Sequence, residues 1–248
     1  MERTILITND DGIRAEGLRA LSAGLEGLGR IVTVAPEHEQ SATSHSITLD
    51  RPLRIKEYSS GSFSVSGTPT DCVLLAVHGI LDSPPDLVVS GINHGPNMGE
   101  DVTYSGTVAA AIEGRILGID SMAVSVTSWA PDSFEPAAGI SRRLASRILE
   151  REKGAPLLWN VNIPPLSGDE IRGVKVTNLG SRVYNDTIVK KKDPRGKAYF
   201  WIGGGEPGWN TDESSDFASV TAGYVSVTPL IVDMTDYKTL FELEKWNL

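Results

Sequence analysis

The sequence has very little cysteine and lacks long apolar runs. Cys72 is the single cysteine among 248 residues, so no internal disulfide is available. This usage is consistent with a reducing compartment, and we expect a cytoplasmic protein. No apolar run approaches the roughly 18 residues of a membrane-spanning helix, and the chain begins without a charged leader and cleavage site. We therefore expect no membrane partner.

Basic residues are also in deficit. The chain has 23 Lys and Arg against 32 Asp and Glu, a net charge of −9. That balance argues against a nucleic-acid duplex or an anionic membrane as partner, since both need basic surfaces. A small phosphorylated substrate remains compatible, because a bound metal ion reverses the sign of the local charge. The length and the 40% hydrophobic content are typical of a globular protein with one large or two small domains.

The first strand-to-helix turn has no Gly-x-Gly-x-x-Gly run, which counts against a dinucleotide-binding fold. In its place Asn9-Asp10-Asp11-Gly12 follows a predicted strand at Thr4–Thr8. Ligands bind at the carboxyl edge of open α/β sheets. Two adjacent carboxylates repel each other, and a hard cation such as Mg²⁺, Mn²⁺ or Ca²⁺ removes that conflict. The alternative is a polar turn in which Asp11 or a neighbour caps the next helix.

Strands and helices alternate to about residue 165. We predict strands at Thr4–Thr8, Ile31–Ala35, Leu87–Ser90 and Met122–Val126, and a hairpin from Leu53–Glu57 and Ser62–Ser66. Helical patterns occur around Leu18 to Leu28, from Pro69 to Leu81 and over Thr107–Leu117. This alternation predicts an α/β fold: three α/β/α layers, Rossmann-like, with a mostly parallel sheet and right-handed crossovers.

The last third has a different pattern. Strands are predicted at Val174–Thr177, Thr187–Val189, Tyr199–Ile202 and Tyr224–Thr228, followed by a helix at Tyr237–Trp246. We therefore divide the chain into a Rossmann-like catalytic core, 1–165, and a β-hairpin and helix extension, 166–248. Uncovered strand edges and an apolar helix face of Leu240, Leu243 and Trp246 predict that the extension contacts the core and a partner subunit, in a homodimer or homotetramer. The alternative is that the helix packs on its own chain.

Three further segments follow strands and should reach the acidic turn: residues 36–41, 90–97 and 104–107. Ser105 is a good N-cap, so we expect the amides of Gly106, Thr107 and Val108 to be unpaired and to point outward, where they bind phosphate. An acid pair for a metal and amides for phosphate form a coherent phosphohydrolase site. The alternative for Ser105 is a helix cap and nothing more.

Together these segments resemble the SurE family, the survival-protein E phosphatases described as 5′- and 3′-nucleotidases. The resemblance spans nearly the whole chain. It is carried by Asn9-Asp10-Asp11-Gly12, Ala35-Pro36 with Ser41, Gly67–Cys72, Val89–Asn93 with Gly95-Pro96-Asn97, Tyr104–Ala111, Asp193–Gly196, Thr211-Asp212 with Asp216-Phe217, and Gly223–Leu230.

The resemblance implies roles for particular residues. It implies one divalent ion per subunit, Mg²⁺ or Mn²⁺, with the ligands Asp10, Asp11, Ser41 and Asn93. It implies phosphate contacts by Asn97, Ser105, Gly106 and Thr107, with Asn9 beside them. It also implies dimers that exchange C-terminal segments. His94 departs from the family pattern, where a small residue is expected, and the stretch before Ser41 is more acidic than expected.

We therefore expect a metal-dependent phosphomonoesterase that hydrolyses nucleoside 5′- and 3′-monophosphates. The metal would polarise an attacking water, with Asp10 or Asp11 as the base. A covalent aspartyl-phosphate route is disfavoured, because such hydrolases usually have one residue between their two acids. The alternative is a non-enzymatic nucleotide- or phosphate-binding regulatory module. A receiver-like module of that kind would need a further Asp and Lys that we cannot place, and a sugar-transferring Rossmann protein is the other rival.

Overall fold

The computed structural model describes residues 2–183, 188–202, 208–209 and 212–246. The strands are β1 Thr4–Thr8, β2 Arg30–Pro36, β3 Ile55–Ser59, β4 Ser62–Val65, β5 Leu87–His94, β6 Ser121–Val126, β7 Leu158–Ile163, β8 Val174–Val176, β9 Arg182–Val183, β10 Ile188–Lys192, β11 Ala198–Ile202, β12 Gly208–Trp209 and β13 Val225–Pro229. The α-helices are α1 Glu16–Leu25, α2 Pro69–Leu75, α3 Gly106–Ile116, α4 Glu135–Glu150, α5 Asp216–Thr221 and α6 Tyr237–Leu243.

Within the described residues, nine strands form one sheet in the order β3-β4-β2-β1-β5-β6-β7-β13-β8. Strands β4, β2, β1, β5, β6 and β7 pair in parallel, while β3 is antiparallel to β4 and β13 is antiparallel to β7. The predicted mostly parallel α/β sheet is therefore confirmed.

Apolar side chains of β1 alternate between the two faces of the sheet, as the period of a strand requires. Ile5 and Ile7 belong to a buried cluster that includes Leu18 and Leu21 of α1 and residues of α4. Leu6 belongs to a second cluster with residues of α2 and α3. Helices thus cover both faces, and three layers result. The layers leave the carboxyl ends of β1, β5 and β6 at one edge.

Several boundaries differ from the sequence-based expectation. Strand β5 continues through Gly91 to His94, where a loop was expected, and its pairing with β6 is irregular between Ser90 and Asn93. Helix α2 ends at Leu75, and a π-helical segment at Ala76–Ile80 follows it. Helices α4 and α5 and strand β7 lacked a specific prediction. The last strand, β13, joins the central sheet beside β7 and not a separate extension.

The C-terminal segment lies largely exposed. Strands β10 and β11 form an antiparallel hairpin of their own. Helix α6 has no buried residue, and Phe241 and Trp246 are 60% and 63% exposed. The division at residue 165 and the oligomerisation role of α6 stay predictions, although β13 and β8 extend the sheet past that boundary. Thr187, at the start of one predicted strand, and Thr211, in one family motif, lie outside the described residues.

Among the helices of the described residues, none has the length and apolar character to cross a bilayer.

Replacing Leu21 with Ala should destabilise the fold strongly. The Leu21 side chain is fully buried between α1 and the sheet, and buried Leu-to-Ala changes cost about 2–5 kcal/mol through lost transfer energy and the cavity left behind. Urea denaturation should show this loss in the free energy of unfolding. The control is Arg19→Ala on the exposed side of the same helix, which should change stability by less than about 0.5 kcal/mol. Equal effects of the two changes would contradict the assigned packing.

Candidate functional site

Asp10 ties the end of β1 to the start of α3. Its carboxylate is 5% exposed. The Thr107 hydroxyl donates to Oδ1 at 2.5 Å, and the Thr107 amide donates to Oδ2 at 3.1 Å. One residue of α3 therefore orients both oxygens of this carboxylate. This contact agrees with the expectation that residues 104–107 reach the acidic turn after β1.

Gly106 permits that close approach. A Cβ atom at residue 106 would lie 2.9 Å from the Asp10 Cβ and 3.0 Å from Asp10 Oδ2. The first distance is too short for a real Cβ and the second is unusually tight, so a side chain here would push Asp10 away from the helix. The glycine is needed for this approach, not for an unusual backbone angle.

Asp11 lies beside Asp10 and contacts a histidine. Its side chain is 7% exposed, and His94 Nδ1 lies 3.0 Å from Asp11 Oδ1. Burial raises the pKa of Asp11, and His94 opposes that rise, while the charge of Glu39 adds to it. Glu39 was not among the predicted site residues. The acidic stretch before Ser41 was the available signal for it.

Burial has the largest effect on Asp10 as well. It raises the pKa of Asp10 to about 6, against the opposing hydrogen bond from Thr107 and together with the charge of Asp11. Two adjacent carboxyls thus both hold protons more tightly than usual. Since a cation would stabilise their ionised forms, the electrostatics of the turn favour a bound positive charge.

Asn9 shapes the turn itself. Its side-chain amide donates to the Gly12 carbonyl at 3.0 Å, and its Oδ1 accepts from the Gly12 amide at 3.2 Å. Gly12 has a φ of +96°, which a residue with a side chain rarely adopts. Asn9 is fully buried, and its contacts with Gly12 shape the turn that carries Asp10 and Asp11. Its phosphate role stays a prediction.

Asn97 is held by a polar group that the sequence interpretation missed. Asn160 and Asn162 donate to its carbonyl at 2.8 and 2.9 Å, and its own backbone amide donates to Asn162 Oδ1 at 2.9 Å. The Asn97 side chain donates to Ser125 Oγ at 2.8 Å. Asn160 and Asn162 alternate on β7 and are fully buried. Two asparagines on one face of an apolar strand were the signal that could have found them.

The expectation of three outward-pointing amides at the start of α3 is wrong for two of them. The Thr107 amide bonds to Asp10, and the Val108 amide bonds to the Ser105 hydroxyl at 3.1 Å. Ser105 is therefore a helix cap, which both interpretations required, and its phosphate contact stays a prediction. The Gly106 amide has no hydrogen-bond partner in the described part of the chain. The Thr107 amide is bonded through a tertiary contact with Asp10, which the sequence cannot show.

The predicted metal ligands meet at one cleft of about 650 Å³. Its lining includes Asp10, Asp11, Ser41, Asn93, Asn97 and Ser105. The lining does not include Asn9, Gly106 or Thr107. Asn9 bonds to Gly12, Thr107 bonds to Asp10, and Gly106 lies against Asp10. The cleft also has Glu39, His94, Tyr104, Trp129 and Trp209 in its walls.

The donors around the cleft fit a hard cation. Ser41 donates to Glu39 Oε1 at 2.6 Å, and the Asn93 side-chain NH₂ donates to the Gly95 carbonyl at 2.9 Å, which leaves the Asn93 Oδ1 for a ligand. Across the described residues, no cluster of three His, Cys, Asp or Glu side chains suits a metal. The predicted set differs from such a cluster, since it joins two carboxylates to a hydroxyl and an amide oxygen. These oxygen ligands suit Mg²⁺ or Mn²⁺.

Comparisons with known proteins find the same family throughout. The family model "Survival protein SurE" matches residues 5–186. The "5′-nucleotidase SurE" of Methylococcus capsulatus is 48% identical over 242 residues, covering 98% of this chain and 96% of that protein. The protein of the same name from Gemmatimonas aurantiaca is 49% identical over 246 residues, covering 98% of each. The crystal structure of the SurE protein from Aquifex aeolicus has a TM-score of 0.88 and 44% identity, and covers 97% of this chain and 98% of that one.

Stability of the metal-free protein should fall as pH rises from about 4 to 6. In that window the folded state binds more protons than the unfolded state, because the pKa of Asp10 is raised from 3.8 to about 6. Asp10→Asn removes this group, so the variant should gain stability relative to the parent chain as pH rises, by up to about 3 kcal/mol at pH 7. Urea denaturation with a chelator present measures the difference.

The control for this comparison is Asp132→Asn, which removes the same charge at an exposed position. Its stability difference from the parent chain should not change over the window. Parallel pH curves for Asp10→Asn and the parent chain would contradict the raised pKa.

Proposed function

The chain belongs to the SurE family, and we propose that it hydrolyses nucleoside 5′- and 3′-monophosphates to nucleoside and phosphate in a divalent-metal-dependent reaction. Relatives at 46–49% identity that carry the name 5′-nucleotidase SurE support the enzyme class, a phosphoric monoester hydrolase. The single observation that carries the proposal is the buried Asp10–Asp11 pair, which faces the cleft with raised pKa values. A cytoplasmic location is part of the proposal and is consistent with the lone cysteine.

We propose that Asp10, Asp11, Ser41 and Asn93 hold one Mg²⁺ or Mn²⁺ per subunit. Bound there, the ion supplies positive charge that polarises the phosphate ester and the attacking water. The raised pKa values of the two acids support this assignment, because they show that ionising both carboxyls is costly in the metal-free protein, and a cation offsets that cost. The chelator and metal arms of the assay below test the requirement.

The protein groups around the ion position the substrate. We propose that a phosphoryl oxygen bound beside Asp10 also reaches the amide of Gly106, which lies against Asp10 at the start of α3, where the helix dipole favours negative charge. Asn160 and Asn162 hold the backbone of Asn97, so the place of Asn97 in the wall of the cleft is fixed before a substrate binds. Donors fixed before the reaction stabilise the charge that develops on the phosphoryl oxygens.

The Asp10–Asp11 pair also suits proton transfer. Both carboxylates have a fixed orientation, and a base must lie within hydrogen-bond reach of the proton that it accepts. Thr107 fixes the orientation of Asp10, and His94 fixes that of Asp11. We assign the proton-accepting role to this pair.

Asp10→Asn should lower the turnover of AMP on the order of a hundredfold or more, because it removes charge that holds the ion. Phosphate release at saturating Mn²⁺ measures turnover, and the surface change Asp132→Asn is the matched control. The parent chain should lose activity with a chelator and regain it with Mg²⁺ or Mn²⁺. Near-normal turnover of Asp10→Asn would sink the ligand assignment, and a parent chain that binds AMP without releasing phosphate would sink the enzyme proposal.

We propose that the chain assembles as a homodimer or homotetramer through its C-terminal segment. Ile231, Met234 and Phe241 are 83%, 96% and 60% exposed, and so large an apolar surface near a terminus is typical of an interface. The helix α6 has no buried residue on its own chain, which supports exchange with a partner.

Removing residues from Asp236 onward should weaken assembly and spare the metal ligands. Leu240→Asp should do the same with a single change, since it places a charge on the apolar face that Leu240, Leu243 and Trp246 form. Lys238→Asp on the same helix is the matched control and should keep the assembly of the parent chain. Light scattering measures the mass, and a full-length chain that is monomeric at micromolar concentration would refute the proposal.

A further inference from the structure

Trp129 is an exposed aromatic residue in the wall of the cleft. It lies in the loop between β6 and α4, and 75% of its surface is exposed. Exposed tryptophans are uncommon, since the ring has a large apolar surface. Trp129 lines the 650 Å³ cleft together with Asp10 and Asp11, and it also lines a second cleft of about 320 Å³ with Asp11 and His94. The ring therefore belongs to the wall of both clefts, as Asp11 does.

The ring is fixed from one side. A Cβ atom at Gly95 would lie 2.5–2.9 Å from three carbons of the six-membered ring, so the indole lies directly against the backbone of residue 95. The Gly95 amide donates to the carbonyls of Val126 and Ser128, both at 2.9 Å. The loop that carries Trp129 is thus bound to the segment that carries Asn93. This contact orders the ring before any ligand arrives, and the remaining ring surface stays open to the cleft.

The other indole in the wall of the cleft is already engaged. Trp209 stacks on Phe217, and the guanidinium of Arg182 lies 5.7 Å from the centre of the Trp209 ring. Its ring therefore already has two protein partners. Tyr104 is 58% exposed, but it directly precedes the Ser105 cap and takes part in the backbone of that turn. Trp129 combines a fixed ring with an open surface beside the acidic pair.

We infer that Trp129 is a specificity-determining residue whose open ring surface stacks on the base of the substrate. A nucleotide places its base within a few bond lengths of its phosphate, so a phosphate at the acidic end brings the base to the wall of the same cleft. Aromatic rings stack on any base through their π faces. A sugar phosphate without a base gains nothing from this surface. The inference rests on the proposed function and adds the group that distinguishes nucleoside monophosphates from other phosphate esters.

The test compares two substrates that differ only in the base, AMP and ribose 5-phosphate. We expect Trp129→Ala to lower the ratio of kcat/KM for AMP to kcat/KM for ribose 5-phosphate about tenfold, which is the scale of one base-stacking contact. The conservative change Trp129→Phe should keep most of the ratio. Tyr58→Ala is the matched control, because Tyr58 is 53% exposed and lies on β3 outside the cleft. It should leave the ratio within about twofold of the parent value.

A second measurement uses the nucleoside adenosine as an inhibitor. Adenosine should inhibit ribose 5-phosphate hydrolysis competitively, and the inhibition constant should rise about tenfold in Trp129→Ala. An unchanged ratio and an unchanged inhibition constant would overturn the inference. An equal loss for both substrates would also overturn it, since that result assigns Trp129 to holding the Gly95 segment. A parent chain that hydrolyses neither ester with Mn²⁺ present would instead refute the proposed function.

Discussion

The contact between Asp10 and Thr107 is the constraint on which the rest of the site depends. A strand that ends in a carboxylate meets a helix that begins with a glycine and a threonine, and two hydrogen bonds join them. The contact requires the missing side chain of Gly106 and the turn that Asn9 and Gly12 make. Gly106 leaves room for the Asp10 side chain, and Asn9 and Gly12 bond to each other in the turn after β1. Together they place a charged group where the protein provides little solvation.

That placement works against the stability of the metal-free fold. Buried carboxyls with raised pKa values hold protons that the unfolded chain would release, so their ionisation at neutral pH is unfavourable for folding. A cation bound between them would reverse the sign of this effect. The proposed cation site and the stability of the fold are therefore linked through the same two side chains, as is common at sites whose groups have shifted pKa values.

Asn97 shows how the sheet supports the site from a distance. Its backbone and side chain are bound by polar residues of β6 and β7, in the middle of an otherwise apolar layer. Buried polar groups of this kind are costly unless each finds a partner, and here Asn97 provides partners for two asparagines. The part of the cleft wall that Asn97 forms is thereby bound to the core of the fold.

Local pattern predicted much of the fold and much of the site. The apolar run of β1 and the helical spacing of α1 depend on neighbours within a few residues, which the sequence displays directly. The grouping of Asp10, Asp11, Ser41 and Asn93 followed from a rule about parallel strands together with the family resemblance. Boundaries were less predictable, because the pairing of β5 with β6 decides how far β5 continues past Gly91.

By itself, the sequence determined the local elements of the candidate site: the acid pair after β1, the Ser105 cap and the glycine that follows it. Only the tertiary structure decided which polar groups remain available. It assigned the Thr107 amide to Asp10 and joined Asn160 and Asn162 to Asn97 across the sheet. It also placed Trp129 against Gly95 at the cleft. These contacts join residues far apart in the chain, and hydrogen bonding and burial depend on distances that local sequence does not specify.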